Sequence, residues 1–129
     1  MAAIRGFRDL DVYKMAVAEA RQIFVLSRRF PTDERYSLTD QIRRSSRAVG
    51  AMIAEAWARR AYPAAFANKL NESMGEAMET QAWLDHAHAC EYITPAEHRK
   101  LDAAWQQIGA MLNRMLQLSD SFCRSTARK

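Results

Sequence analysis

Apolar residues recur at steps of three and four along most of the chain, a spacing that keeps side chains on one side of an α-helix. Breakers separate four such segments, and we predict helices at about residues 10–29, 37–61, 63–91 and 95–122. Pro31 ends the first helix. Pro63 leaves so short a link between the second and third helices that these two must be antiparallel neighbours. The pattern therefore predicts an all-α, four-helix bundle.

Two of the predicted helices carry N-terminal capping signals. Thr94, Pro95 and Glu97 supply an N-cap residue, a proline at the first helical position and the glutamate of a capping box. Ser37 and Asp40 form a similar pair, with aspartate in the place of the usual glutamate. We therefore expect capping boxes at the starts of the second and fourth helices.

The first helix is apolar around more than half of its circumference, which is wider than a two-layer packing needs. One stripe consists of Leu10, Tyr13, Val17, Ala20 and Phe24, and the other of Val12, Ala16, Ile23, Leu26 and Phe30. A central position in the bundle or contact with another subunit would each account for this width. We take Ile23 and Leu26 as candidate residues of an oligomer interface.

The third helix has an apolar stripe and, on another face, an acidic strip. The predicted inward residues are Phe66, Leu70, Met74, Ala77, Met78, Gln81, Leu84 and His88. Gln81 must find a hydrogen-bond partner if it is buried. The acidic strip ends in a large aromatic residue and consists of Glu72, Glu76, Glu79 and Trp83. Because tryptophan is enriched at interface centres, we take this strip as a second candidate oligomer interface.

Positive charge is concentrated in the first half of the chain. The formal net charge is +4, but residues 1–60 hold 12 Lys and Arg against 7 Asp and Glu, a net of +5. Residues 61–129 hold 7 against 8, a net of −1. The candidate nucleic-acid contacts are the arginines of the second helix: Arg43, Arg44, Arg47, Arg59 and Arg60. No recognition motif accompanies them, so binding would be directed to the backbone and sensitive to salt.

An alternative use of these arginines requires no nucleic acid. They could pair with the acidic strip of the third helix or form subunit contacts, because the two halves of the chain have opposite net charge. The protein would then be a structural or protein-adaptor scaffold.

No catalytic motif is recognisable. Ser45 and Ser46 have no histidine near them in sequence, and neither a glycine-rich phosphate loop nor a Gly-x-Ser-x-Gly turn occurs. His86 and Cys90 are four residues apart on a predicted helix and could share a metal with His98, but a packing role is the favoured interpretation. We predict no enzyme, no catalytic residue, no metal and no cofactor.

The chain shows no feature that directs it to a membrane. No secretory signal is visible at the N-terminus, no apolar run has the length of a bilayer span, and two cysteines do not suggest a disulfide framework. We expect a cytoplasmic protein with no membrane partner. The predicted organisation is an N-terminal arm over residues 1–9, one domain over 10–122 and a flexible basic tail over 123–129.

Several blocks of the chain resemble one family, in order, over roughly residues 7–116. The blocks are FRDLDVY at Phe7–Tyr13, FP at 30–31 with ERYSLTDQIRRS at 34–45, IAEA at 53–56, a helix-three block within 75–84 and EYI at 91–93. The chain resembles the four-helix bundle proteins first noticed in intervening sequences of 23S ribosomal RNA genes. These are related in fold to accessory variability proteins of diversity-generating retroelements. Met52 and Ala56 stand where the family often has Asn and Gly, so a polar contact of the second helix becomes apolar here.

The resemblance implies an antiparallel up-down-up-down four-helix bundle that assembles as a homo-oligomeric ring, usually a homopentamer. For the retroelement relatives it also implies binding of nucleic acid and a reverse transcriptase through a basic surface. We therefore expect a non-enzymatic homo-oligomer that binds RNA or DNA through its arginine-rich surface, with the scaffold as the alternative. The expected partners are the protein itself, RNA or DNA, or another protein.

Overall fold

The computed structural model describes residues 3–127, with side chains through Cys123. Four long helices dominate it: α1 (Asp11–Ser27), α2 (Leu38–Ala58), α3 (Pro63–Ala89) and α4 (Pro95–Gln117), followed by the shorter α5 (Ser119–Ala127). The described range contains no β-strand, so the all-α prediction is confirmed. Contacts run from α1 to α2, α2 to α3, α3 to α4 and α4 back to α1. None of the helices within residues 3–127 is both long and apolar enough to cross a bilayer.

One hydrophobic core lies between these four helices. The largest fully buried apolar side chains are Ile23 of α1, Ile42, Val49 and Ile53 of α2, Phe66, Leu70 and Leu84 of α3, and Trp105, Ile108 and Leu112 of α4. Burial of each such side chain contributes about 1.5–3 kcal/mol. The core thus accounts for the three- and four-residue spacing of apolar positions along the chain.

Small hydroxyl side chains, rather than large apolar ones, line part of the contact between α2 and α3. The Ser45 and Thr80 hydroxyl oxygens lie 2.9 Å apart, and Ser73 Oγ donates to the Val49 carbonyl oxygen at 2.9 Å. Met78, which the apolar pattern placed inside, is instead 67% exposed. The buried face of α3 is therefore rotated from the predicted one, because hydrogen-bonded serine and threonine occupy core positions that hydrophobicity alone does not identify.

The two predicted capping boxes have different outcomes. At α4, Glu97 N donates to Thr94 Oγ1 at 3.1 Å and Thr94 N donates to Glu97 Oε1 at 2.9 Å, as predicted. At α2, the Ser37 side chain caps no backbone group and its hydroxyl donates to Glu34 Oε1 at 2.6 Å. The prediction for Ser37 and Asp40 is wrong, because the preceding 3₁₀ turn (Thr32–Glu34) brings the Glu34 carboxylate over the first turn of α2.

The turn between α3 and α4 is closed by a Schellman motif. Tyr92 N donates to the Ala87 carbonyl oxygen at 2.9 Å, and Glu91 N donates to the His88 carbonyl oxygen at 3.0 Å. Glu91 has a φ of 61°, the left-handed conformation in which glycine is usual. The turn therefore holds a non-glycine residue in a strained conformation.

Both chain ends contribute more structure than predicted. A 3₁₀ turn (Phe7–Asp9) precedes α1, and the Phe7 ring packs edge-on against Tyr13 with centroids 4.9 Å apart. The predicted single fourth helix breaks at Leu118, and α5 then brings the Phe122 ring to 6.0 Å from that of Phe66. Cys123 is 3% exposed, so the core extends past the predicted domain end. Residues 1–2 of the predicted arm and 128–129 of the predicted tail lie outside the described residues.

Candidate nucleic-acid interface

The five arginines predicted as nucleic-acid contacts do not share one surface. Arg43 and Arg47 lie against α1, whereas Arg44 lines a groove between α2 and α3. Arg59 and Arg60 lie at the C-terminal end of α2, about 18 Å along the helix axis from Arg47 at 1.5 Å per residue. Only the first pair therefore belongs to a concentrated basic surface.

Phe24 of α1 gathers three guanidinium groups around its ring. The Cζ atoms of Arg28, Arg43 and Arg47 lie 4.8, 4.7 and 5.1 Å from the ring centroid. Arg43 Nε also donates to Ser27 Oγ at 2.7 Å, which holds its guanidinium in place. All three distances are within the range of a cation–π interaction. We call Phe24, Arg28, Arg43 and Arg47 the basic cluster.

The basic cluster has no internal counter-charge. Within residues 3–123, no carboxylate oxygen lies within 4.0 Å of its guanidinium nitrogens. The ion pairs of this part of the chain lie elsewhere and are Arg29–Glu97, Lys69–Glu55, Lys69–Glu72 and His98–Asp85. Like charges held this close repel one another, so an external anion would stabilise the arrangement.

A groove between α1 and α2 runs up to the basic cluster. Its volume is about 600 Å³, and it is lined by Tyr13, Ala16, Val17, Ala20, Arg21, Phe24, Ser46, Arg47, Gly50 and Ala51. Val17 is 49% exposed and belongs to the excess apolar stripe predicted on the first helix. Leu26 is half-buried against the core, but Ile23 is 1% exposed and has no surface to offer a neighbouring copy. We therefore remove Ile23 from the candidate interface.

A second pocket, of about 340 Å³, lies where the chain passes from α1 to α2. It is lined by Ser27, Arg28, Phe30, Pro31, Thr32, Arg35, Thr39 and Arg43. Thr39 is 8% exposed, and its hydroxyl oxygen has no hydrogen-bond partner among the described residues. A buried polar group left unpaired costs about 1–3 kcal/mol. We call this site the arginine pocket.

The acidic strip is divided between two environments. Glu76, Glu79 and Trp83 line a groove of about 680 Å³ that also contains Arg44, and Trp83 Nε1 donates to Glu79 Oε2 at 3.1 Å. Burial and the nearby Glu79 carboxylate raise the pKa of Glu76 above its usual value, against a smaller opposing effect of Arg44. Glu72 instead pairs with Lys69 at 2.9 Å. We call the first environment the acidic groove.

Glu34 anchors one edge of the acidic groove. The Tyr92 hydroxyl donates to Glu34 Oε2 at 2.8 Å, and this hydrogen bond, aided by burial, raises the pKa of Tyr92 to about 12. The hydrogen bonds from Ser37 and then Tyr92 hold the pKa of Glu34 below its usual value. Glu34 is thus a charged residue that ties the 3₁₀ turn before α2 to the turn between α3 and α4.

The described residues bring together one group of possible metal ligands, and it is not the group considered from the sequence. The group is Asp85, His98 and Asp102, whose ligand atoms lie within 4.8 Å of one another. His98 Nε2 lies 2.8 Å from Asp85 Oδ1, and Asp102 accepts a hydrogen bond from a glutamine amide at 3.1 Å. The glutamine is Gln81, for which a hydrogen-bond partner was predicted from the sequence. His86 and Cys90 line the acidic groove instead.

Sequence reasoning did not identify Phe24 or Thr39 as functional residues. Phe24 appeared only as one position of an apolar stripe, although Arg28 follows it at the four-residue spacing that places side chains together on a helix. The third and fourth members of the cluster come from α2, a contact that spacing within one helix cannot reveal.

A known protein family and a solved structure are similar to this chain. Residues 8–114 match the family described as 23S rRNA-intervening sequence protein. A protein with unknown function from the S23 ribosomal protein family of Bacteroides thetaiotaomicron VPI-5482 is similar in structure, with 29% sequence identity and a TM-score of 0.75. That similarity covers 82% of this chain and 95% of the other. No curated protein matches the chain.

Proposed function

The chain belongs to the 23S rRNA-intervening sequence protein family, and we propose that it is a non-enzymatic homo-oligomer that binds the phosphate backbone of RNA or DNA. The observation that carries this function is the basic cluster, in which three guanidinium groups converge on Phe24 without a carboxylate partner. Arginine suits this role because its planar fork of donors matches the oxygens of a phosphate.

Binding through the basic cluster should depend on the charge of the phosphates rather than on the nucleotide sequence. Contacts to phosphates position a protein on nucleic acid but carry no base information. If each arginine of the cluster neutralises one phosphate, affinity for duplex DNA falls about 40-fold between about 50 and 200 mM salt. A strong dependence on salt with little dependence on sequence is therefore the expected signature.

A binding role is preferred to a catalytic one because the candidate nucleophiles have packing roles. Ser45 and Ser46 are each 1% exposed. Ser45 shares a hydrogen bond with Thr80, and Ser46 Oγ donates to the Arg43 carbonyl oxygen at 3.1 Å. These contacts hold the Ser45 hydroxyl in the core and the Ser46 hydroxyl, which belongs to a residue lining the groove between α1 and α2, against the backbone of its own helix.

The proposed assembly is a homo-oligomeric ring of antiparallel, up-down-up-down four-helix bundles. Two surfaces support this assembly, an exposed apolar stripe on α1 and the acidic groove. Val17 and Val25 of α1 are each 49% exposed, and the acidic groove holds carboxylates that Arg44 does not fully compensate. Head-to-tail contact between a basic face and an acidic face is heterologous, and such contacts close into rings when the rotation permits.

The second candidate function is a scaffold or protein adaptor without nucleic-acid binding. The observation in its favour is the charge complementarity between the basic cluster and the acidic groove of Glu76 and Glu79. If a neighbouring subunit places its acidic groove over the basic cluster, the arginines contact carboxylates of that subunit and no phosphate can reach them.

Titration of fluorescent RNA and DNA at low and moderate salt separates these two functions. We expect binding at low salt that weakens about three- to tenfold in the variant Arg47→Gln, equivalent to about 0.7–1.4 kcal/mol. Arg114→Gln is the matched control, because it removes one exposed positive charge beside Leu10, at the other end of α1. No binding at low salt would exclude the nucleic-acid function and favour the scaffold.

Size-exclusion chromatography with light scattering tests the assembly. The expected mass is several times the 14.8 kDa of one chain. A monomer at all concentrations would exclude both the ring and the scaffold that depends on it.

A further inference from the structure

The arginine pocket differs from the rest of the basic surface because three arginines from three different segments line it. Arg28 comes from the end of α1, Arg35 from the turn before α2, and Arg43 from the second turn of α2. No acidic side chain lines the pocket among the described residues. This arrangement matters because donors gathered around one pocket can bind a single tetrahedral group, whereas donors spread along a face bind successive phosphates.

A further feature of the pocket points to an anion that accepts hydrogen bonds. The Thr39 hydroxyl, in a residue that is 8% exposed, lacks a partner within the described part of the chain. The N-terminal end of α2 does not add to this anion site, because the Glu34 carboxylate already accepts from Leu38 N there. The pocket therefore combines guanidinium groups with an unpaired hydroxyl.

We infer that the arginine pocket binds a phosphate monoester, the doubly charged group found at the end of a nucleic-acid strand or on a free nucleotide. An internal phosphodiester carries one negative charge, whereas a monoester carries nearly two at neutral pH and offers three terminal oxygens. Three guanidinium groups match the second of these better than the first. As a site for strand ends, this inference rests on the proposed nucleic-acid function and gives it a preference for phosphorylated ends.

Arg35 and Arg47 allow the pocket to be tested apart from the basic cluster. Arg35 lines the pocket and lies over Tyr36 rather than Phe24. Arg47 lies over Phe24 and does not line the pocket. Substituting each by Gln removes one charge from one site while leaving the other site complete.

The test compares a short single-stranded RNA carrying a 5′-phosphate with the same RNA carrying a 5′-hydroxyl, using the full chain. We expect the phosphorylated RNA to bind about tenfold more tightly, as one charge-assisted set of contacts at the end would provide. Arg35→Gln and the near-isosteric Thr39→Val should reduce that preference to less than about threefold. Arg47→Gln should weaken both RNAs by the same factor and retain the preference.

Inorganic phosphate and adenosine monophosphate, measured by calorimetry, distinguish a strand end from a free ligand. Binding of these probes that is lost in Arg35→Gln, with no binding of either RNA, would support the pocket and overturn the proposed nucleic-acid function. Equal affinity for the two RNAs, without binding of the small probes, would overturn the pocket and leave backbone binding intact. Failure of all four probes would overturn both.

Discussion

Substitution of Phe24 should have an effect that is unusual for a half-buried phenylalanine, because three guanidinium groups lie over its ring. Replacing it in Phe24→Leu retains an apolar side chain but removes the π face beneath Arg28, Arg43 and Arg47. Each cation–π contact at an exposed site contributes about 0.5–1 kcal/mol. Three would contribute up to about 3 kcal/mol, but mutual repulsion of the cations reduces the sum, and we expect a loss of about 1–2 kcal/mol.

Thermal unfolding followed by circular dichroism measures this loss. For a chain of this length, about 1–2 kcal/mol corresponds to a fall in Tm of about 3–10 °C. Nucleic-acid affinity should fall about two- to fivefold, because the arginines lose their preorganisation. The slope of affinity against salt should not change, since every positive charge is retained.

Phe7→Leu is the matched control for this experiment. The Phe7 ring carries a single guanidinium, that of Arg8 at 4.5 Å, and lies outside the basic cluster. We expect a stability loss of about 1–2 kcal/mol, from this contact and the edge-on pair with Tyr13, and unchanged nucleic-acid affinity. If Phe24→Leu were as stable as the parent and bound nucleic acid equally well, the ring would not organise the arginines and the reasoning would be refuted.

Three further predictions concern assembly, pH and the helix turn. Trp83→Ala should lower the mass seen by light scattering while preserving the helical circular-dichroism signal, and global unfolding would show that Trp83 is a core residue instead. The hydrogen bond from Arg29, followed by that from Thr94 N, holds the pKa of Glu97 below 4.5, so its stabilising effect is present above that pH and is lost as pH falls through the lowered value. Urea midpoints of Arg29→Gln should therefore fall less than those of the parent between about pH 7 and pH 3, and parallel curves would contradict this. Glu91→Gly should raise Tm by about 2–5 °C because it relieves the left-handed φ of 61°, and a lower Tm would show that the side chain compensates for the strain.

The helices were predictable from the sequence because their cause is local. Apolar spacing, Pro63 and the capping box of Thr94 and Glu97 act within one helix or at one turn, and the corresponding elements were found. Where the pattern failed, a contact outside the predicted helix prevailed over it. Ser37 did not cap α2 because the Glu34 carboxylate occupied that position. Met78 is exposed, whereas Thr80 is buried and contacts Ser45 of α2.

The candidate site was predictable only in composition. Arginines in α2 were evident, but their division among three surfaces depends on which helix lies beside each one. The arginine pocket requires three segments that are up to 15 residues apart in sequence, from Arg28 to Arg43. The unpaired Thr39 hydroxyl could not be recognised from the sequence, because only the fold shows that Thr39 is buried.

The measurement that most directly tests the central claim is the slope of log Kd against log salt concentration for duplex DNA, in the parent and in Arg47→Gln. If the basic cluster contacts the phosphate backbone, the slope should decrease in magnitude by about 0.9 when this single contact is removed, and Arg114→Gln should leave it unchanged. An equal slope in all three proteins would show that phosphates are bound elsewhere on the molecule, or not at all, and would contradict the proposed role of the basic cluster.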